Sequence, residues 1–424
     1  MPAPTIAAID FGTSNSTIGI MQGGQPRLLP LHAASLTAPT ALFYPQGKAT
    51  PLCGHAAVQA YLGGDPGRFM RGLKGVLGTP LFTEGTQLGT QTATFQTIIG
   101  HYLGWLLARA EATLGHPVTH LMLGRPVHFL TNQPEADALA EAQLREVTTA
   151  LGIPHVSFMA EPLAAAYHYE HTLQTDELAL IIDIGGGTAD FSILHLGPSR
   201  ATQANRSASI LATHGLRLGG AMLDQALALT HVMPTFGRGS SLSGPIGPKG
   251  LTVPEGYYTQ LTTWHRIHRM YERSTLHEIR QLLPEADEPH KLNRLLTLIE
   301  DRGGHKLMFQ IEDAKIALSS QTSTTLNLGW IEPQLTLPLT AHGMAQATAS
   351  WMSTLTASIE ETLRLANTTP AHLSTVFVTG GPSAMPLVQA TIRQALPTAN
   401  IILGDQLTSV GTGLTHAAHH HTWH

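Results

Sequence analysis

With 424 residues, a formal charge of −5 and one cysteine, Cys53, the chain exceeds one ordinary core and carries no basic field for nucleic acid. The lone cysteine also excludes an intrachain disulfide framework and fits a reducing compartment. Charged residues, at 12%, are about half the usual share of roughly 25%, while apolar residues at 42% suit a globular protein.

The N-terminal "MPAPTIAAIDFG" has neither the charged start nor the long apolar stretch of a secretory signal. Residues 5 to 20 read as a β-hairpin, because Ile6, Ile9, Phe11, Ile18 and Ile20 flank a turn of small residues. From 25 to 90, Gly and Pro divide the chain into short strands, turns and one helix. An amphipathic helix follows over 94 to 115, ending at Gly115. Its apolar stretch is broken by His101, Arg109 and Glu111, so no membrane span is expected and the location is expected to be cytoplasmic. "THLMLGRPV" is a buried strand. "TNQPEADALAEAQLREVTTALG" has helix start signals at Asn132 and Pro134 and a stop at Gly152. "HVSFMAEP" is a strand, and "LAAAYHYEH" opens a helix.

A second hairpin, "LALIIDIGGGTADFSIL" at 178 to 194, opens a similar series. "ILATHGLRLGGAMLDQALAL" reads as strand, Gly219-Gly220 turn, helix, and "TVFVTGGPSAMPLVQATIRQAL" repeats that order. "LTSVGTGLTHAAHH" resembles the earlier passage from strand to helix. Two copies of one α/β lobe with a cleft between them are the simplest architecture. The expected boundaries are 1–172 for the first lobe, with a small insertion at about 25–90, and 173–405 for the second, with a larger one at about 226–310. Residues 406–424 form a C-terminal helix and His-rich tail returning toward the first lobe. Inside the larger insertion, "GRGSSLSGPIGPKG" reads as a flexible loop.

The two hairpins share a plan. Laid on each other, Asp10 meets Asp183, Gly12 meets Gly185 and Ile20 meets Ile193. Glycine lets backbone N–H groups approach an anion closely, so Gly185, Gly186 and Gly187 offer one cradle. Gly12, Thr13 and Ser14 offer another with hydroxyl donors. An aspartate at each strand end would repel a polyphosphate unless a cation intervened. Mg²⁺ suits that place, because it binds through one or two carboxylates, keeps waters and bridges phosphates. No G-x-x-x-x-G-K-[ST] is present, and neither hairpin opens a helix as a dinucleotide fingerprint must.

These segments resemble the nucleotide-binding part of the DnaK-type heat-shock chaperone family, most closely its short YegD-like branch, within the actin-like ATPase superfamily. "IDFGTSNSTIGI" and "IDIGGGTADFSIL" match the two phosphate motifs, "FMAEPLAAAYHY" and, more loosely, "SVGTGLTHAA" the connecting motifs, and "VFVTGGPSAMPLV" the adenosine motif. The resemblance implies an actin-like ATPase fold of two duplicated α/β lobes with subdomain insertions. It implies that Asp10, Asp183 and Glu161 orient magnesium and its waters, and that Thr13, Ser14, Asn15, Gly186, Gly187 and Thr188 meet phosphate. In "RFMRGLKGVLG", Lys74 fits the lysine that positions attacking water. Glu312, Lys315 and Ser319, on one helical face, fit the ribose and adenine contacts. The resemblance also implies that Gly219, Gly220, Gly380 and Gly381 line the same nucleotide. Ile316 and Ala384 stand where the family has two adenine-stacking arginines, and Pro382 replaces a serine. An arginine stacked on a ring contributes roughly 0.5–2 kcal/mol, so base binding is expected to be about tenfold weaker or more.

The implied activity is slow, Mg²⁺-dependent hydrolysis of ATP to ADP, driving lobe closure in a chaperone-like protein with a client or co-chaperone as partner. The chain stops at "THAAHHHTWH", so the family's peptide-binding domain is expected to be absent. Rival expectations are a nucleotide-dependent filament protein of the actin or MreB kind and a small-molecule kinase on the same fold. The filament reading is weakened by the long loop at 237 to 256, and the kinase reading by the lack of a recognisable base. His416, His419, His420, His421 and His424 read as a frayed tail that picks up transition metal adventitiously. Tyr167, His168, Tyr169 and His171 read as packing and helix-surface residues.

Overall fold

The computed structural model describes residues 4–88, 91–201, 209–243, 250–405, 407–421 and 423. Strand β1 (Ile6–Phe11) pairs antiparallel with β2 (Asn15–Gln22), which pairs antiparallel with β3 (Gln25–Leu28). On its other side β1 takes β4 (His120–Arg125) in parallel, and β4 takes β5 (His155–Ala160) in parallel. Parallel pairing needs long crossovers. Helices α1 (Phe95–Leu114) and α2 (Pro134–Ala150) supply them. Thr94 caps α1 by accepting the Thr97 N–H, and Gly115 closes it at φ 77°, the left-handed position that favours glycine.

Helix α3 (Glu161–Glu170) leads to a second sheet. Strands β6 (Glu177–Ile184) and β7 (Ala189–Leu196) form its hairpin, and β8 (Ile210–Leu216) joins β7 antiparallel. The near-continuous apolar run of β6 is buried on both faces, as a central strand requires. Strands β9 (Thr375–Thr379) and β10 (Asn400–Leu403) add in parallel on the β6 side. The orders β5-β4-β1-β2-β3 and β10-β9-β6-β7-β8 are one plan used twice. The registers agree as well, with Asp10 opposite Thr17 and Asp183 opposite Asp190.

The described residues form two units. The first takes the chain up to Gly220, Thr354–Ala384 and Val388 onward, so it contains both sheets. The second is Ala221–Ser353 with Met385–Leu387. Its core gathers Tyr258, Leu261, Ile267, Leu295 and Ile299, all fully buried or nearly so. It carries α4 (Gly304–Ala317) and a hairpin of Ser323–Asn327 with Thr336–Thr340, which the sequence reading left unassigned. The stretch expected as a flexible loop is closed by a short stem. Ser241–Leu242 pairs with Leu251–Thr252, and a helix follows at Glu255–Leu261, while 244–249 lie outside the described residues.

The His-rich tail differs from expectation: its described part is docked rather than frayed. Helix α5 (Ser409–His420) packs on α3 and on β1, β2 and β3. Small residues allow the close approach. A Cβ on Gly413 would lie 2.5 Å from the carbonyl carbon of Ala164. Past the helix, the His421 ring lies 2.9 Å from the Ser157 hydroxyl, and the Trp423 indole N–H donates to the Ala418 carbonyl at 3.2 Å. His424 lies outside the described residues. Tyr169 stacks on Phe377, and its hydroxyl donates to Glu177 at 2.8 Å. No helix among the described residues is long and apolar enough to cross a membrane.

Candidate functional site

The turn after β1 and the turn after β6 touch. A Cβ on Gly186 would fall 2.9 Å from the Ser14 Cβ and 3.1 Å from its backbone nitrogen. One on Gly187 would fall 2.6 Å from the Thr13 hydroxyl. Only glycine permits this approach. Other glycines complete the cluster. Gly219 abuts the Gly186–Gly187 peptide, and the Gly220 N–H donates to the Gly185 carbonyl at 2.9 Å. Gly380, at φ 88°, lies against the Ile184 carbonyl. The Gly185 N–H donates to the Thr188 carbonyl at 2.8 Å, which closes the second turn. In the first, Gly12 lies against the Asn15 carbonyl, and the Thr40 hydroxyl donates to the Gly12 carbonyl at 2.8 Å. Gly381 and Ala384 are exposed after β9, whereas Pro382 is buried.

Four carboxyls and one lysine gather with these turns. Lys74 sits in a short helical turn, Leu73–Val76, entered through Gly72 at φ 74°. Its ammonium lies 2.5 Å from Glu161 Oε1, with the two side chains 5% and 8% exposed. Glu161 is the first residue of α3, where the helix N-terminus favours a negative charge. Gly124 on β4 borders this cluster: a Cβ there would come 3.0 Å from Leu414 Cδ1 and into ordinary contact with Glu161 Cγ at 3.5 Å and Asp10 Oδ1 at 3.7 Å. Asp183 and Asp190 are buried. Asp190 Oδ1 accepts the Val127 N–H at 2.6 Å, while Oδ2 is buried with no hydrogen-bond partner.

The charges do not balance. Burial, then the charge of Glu161, push Asp10 up to about 7 against the pull of Lys74. The same two causes push Asp190 up to about 8, opposed by the Val127 N–H and Lys74. Burial, then Glu161, Asp190 and Asp10, hold Asp183 well above the usual carboxyl range. For Lys74 burial works downward, but Glu161 and Asp10 outweigh it and keep the ammonium above its ordinary value. A cluster short of positive charge is a place for a cation. Carboxylate oxygens of the Asp10 and Asp183 kind suit a hydrated divalent ion held through its waters. The buried Asp190 Oδ2, without a hydrogen-bond partner, fits such an ion.

The raised carboxyls set a pH dependence. A group whose folded value is raised stabilises the fold fully below its unfolded value, near 4, and loses that contribution as pH rises through the folded value. With Asp190 near 8, the metal-free wild type should lose stability relative to Asp190→Asn between pH 5 and 8, by up to about 1.4 kcal/mol per pH unit. Urea unfolding across that range measures it. Parallel curves for the two proteins would show that Asp190 is ionised when folded.

Asp190 was missed in the sequence reading. The overlay that sets Asp10 on Asp183 also sets Thr17 on Asp190, and that polar position on an apolar strand was the available signal. Of the expected nucleoside residues in the second unit, Glu312 and Lys315 lie on α4, whereas Ser319 lies in the turn just past its end rather than on the expected helical face. Lys315 pairs with buried Asp224 at 2.8 Å, the Ser319 hydroxyl donates to the Lys315 carbonyl at 3.3 Å, and Ile316 is 60% exposed. Glu312 is partly buried on the same helix.

Compared with known proteins, residues 82–243 match the family model described as Hsp70 protein. The matched stretch is less than half of the chain. It begins before α1, ends past β8 and includes Glu161, Asp183, the turn 185–188, Asp190 and Gly219, whereas the first hairpin and Lys74 precede it. The match supports the Hsp70 family, and the fold is the mixed α/β fold of the actin-like ATPases.

Proposed function

We propose that this chain binds a nucleoside triphosphate with Mg²⁺, hydrolyses it slowly, and uses the cycle to move the two sheet halves of its first unit in a chaperone-like role. The observation that carries this reading is the contact of two glycine turns beside a buried carboxyl cluster with too little positive charge. Backbone N–H groups at 12–14 and 186–188, with the Thr13 and Ser14 hydroxyls and Thr188, would hold phosphate oxygens. Asp10 and Asp183 would hold the waters of Mg²⁺, and when bound the ion offsets phosphate charge.

Phosphoryl transfer asks mainly for placement and charge stabilisation. Lys74, kept protonated by Glu161, serves as a fixed positive charge and not as a base. It would orient a water for in-line attack on the γ-phosphorus while the bond to the β,γ-bridging oxygen breaks. Without a strong base turnover should be slow, which suits a timer. By the family resemblance the nucleoside would fall to Glu312, Lys315 and Ser319, and with Ile316 and Ala384 at the positions of the stacking arginines the base would meet no cation. A weak preference for ATP over GTP follows.

Calorimetry with ATP, GTP and ADP, with and without Mg²⁺, tests the proposal. Expected are binding of all three, a large gain with Mg²⁺ for the triphosphates, and less than about tenfold discrimination between the bases. Absence of binding, or triphosphate affinity indifferent to Mg²⁺, would overturn it.

A further inference from the structure

Helices α3 and α5 of the first unit pack through alanines and glycines, and at one end of that junction both bring histidines. His416 and His420 are four residues apart on α5, hence on one face, with ring centroids 4.8 Å apart. His171, at the C-terminal cap of α3, faces them. Its Nε2 lies 3.2 Å from His416 Nδ1, and the ring centroids are 4.1 Å apart. As it stands, this is a hydrogen bond between two imidazoles. The same spacing is also one edge of a tetrahedral zinc site, where Zn–N bonds of about 2.0–2.1 Å set neighbouring nitrogens about 3.3 Å apart.

We propose that His171, His416 and His420 form a binding site for a divalent transition metal of the zinc class, which pins the C-terminal helix to α3. Neutral imidazoles are good donors to such ions, and two histidines at i and i+4 on a helix are a familiar half of a zinc site. Among the described residues no three such donors yet meet on one point. His420 is exposed, so rotation of its side chain onto the existing pair closes the site. Water completes the coordination. A loose tail chelating through His419, His420 and His421 would need no residue from α3. His171 lies 245 residues from His416 in the chain and therefore separates the two cases.

The test is a Zn²⁺ titration of the full chain by calorimetry, with thermal unfolding in parallel. Wild type should bind one Zn²⁺ and unfold at a higher temperature with it. His171→Ala and His420→Ala should each lose tenfold or more in affinity and most of that thermal shift. The double variant His419→Ala/His421→Ala should retain both. His171→Gln, which keeps a polar surface side chain, should behave as His171→Ala does if ligation is what matters. Affinity unchanged in His171→Ala and His171→Gln, or no binding by wild type, would overturn the site.

Discussion

Lys74→Met should lower nucleotide hydrolysis by about 10²–10³-fold while leaving Mg²⁺–triphosphate affinity within about tenfold. The range is that of removing one preorganised donor from a developing negative charge. The substitution also leaves Glu161 buried without its partner 2.5 Å away, a change that destabilises by about 3–5 kcal/mol. Lost activity alone would therefore not distinguish a catalytic lysine from a structural one. The double variant Lys74→Met/Glu161→Gln removes both charges together and should recover most of the stability. Single-turnover hydrolysis should remain slow in it. Should the double variant regain both stability and turnover, the lysine serves only to neutralise Glu161, and the proposed role fails.

Gly186→Val should weaken triphosphate binding by roughly a hundredfold or more, since at least one or two charge-assisted hydrogen bonds at about 1.5–3 kcal/mol each would be lost. The cause is local. Even the first carbon of the new side chain would lie 2.9 Å from Ser14 Cβ, so the two turns must move apart and their N–H groups lose a common focus. The glycine is only partly buried, and the sheet beneath keeps its ladder from Glu177–Leu196 to Ile184–Ala189. Far-UV circular dichroism and the unfolding midpoint should therefore stay near wild type while calorimetric binding collapses. Retained affinity in a folded Gly186→Val protein would remove this turn from the site.

Much of the frame was legible because it rests on short-range pattern. Apolar runs around Asp10 and Asp183 specify two central hairpins, and the shared Asp-x-Gly spacing of Asp10 to Gly12 and Asp183 to Gly185 exposes the duplication that the strand orders display. Lys74 and Glu161 could be named only through the family resemblance, and the structure sets them 2.5 Å apart across 87 residues. Other features depend on packing that local pattern does not encode. The hairpin at Ser323–Asn327 and Thr336–Thr340 was obscured by Pro338 within the second strand, a residue usually confined to sheet edges. The tail looked frayed because it is rich in histidine and small residues, yet Gly413 lets it seat against Ala164. Asp190 was overlooked because its importance comes from burial beside Glu161 and Lys74, not from a motif position that the reading used.

The most direct measurement is a crystal structure with a non-hydrolysable triphosphate and Mn²⁺ in place of Mg²⁺, located by its anomalous signal. The expected result is phosphate density against residues 12–14 and 186–188, with the anomalous peak within one water of Asp10 and Asp183. Phosphate bound elsewhere, or a peak remote from both aspartates, would contradict the shared role of the two turns.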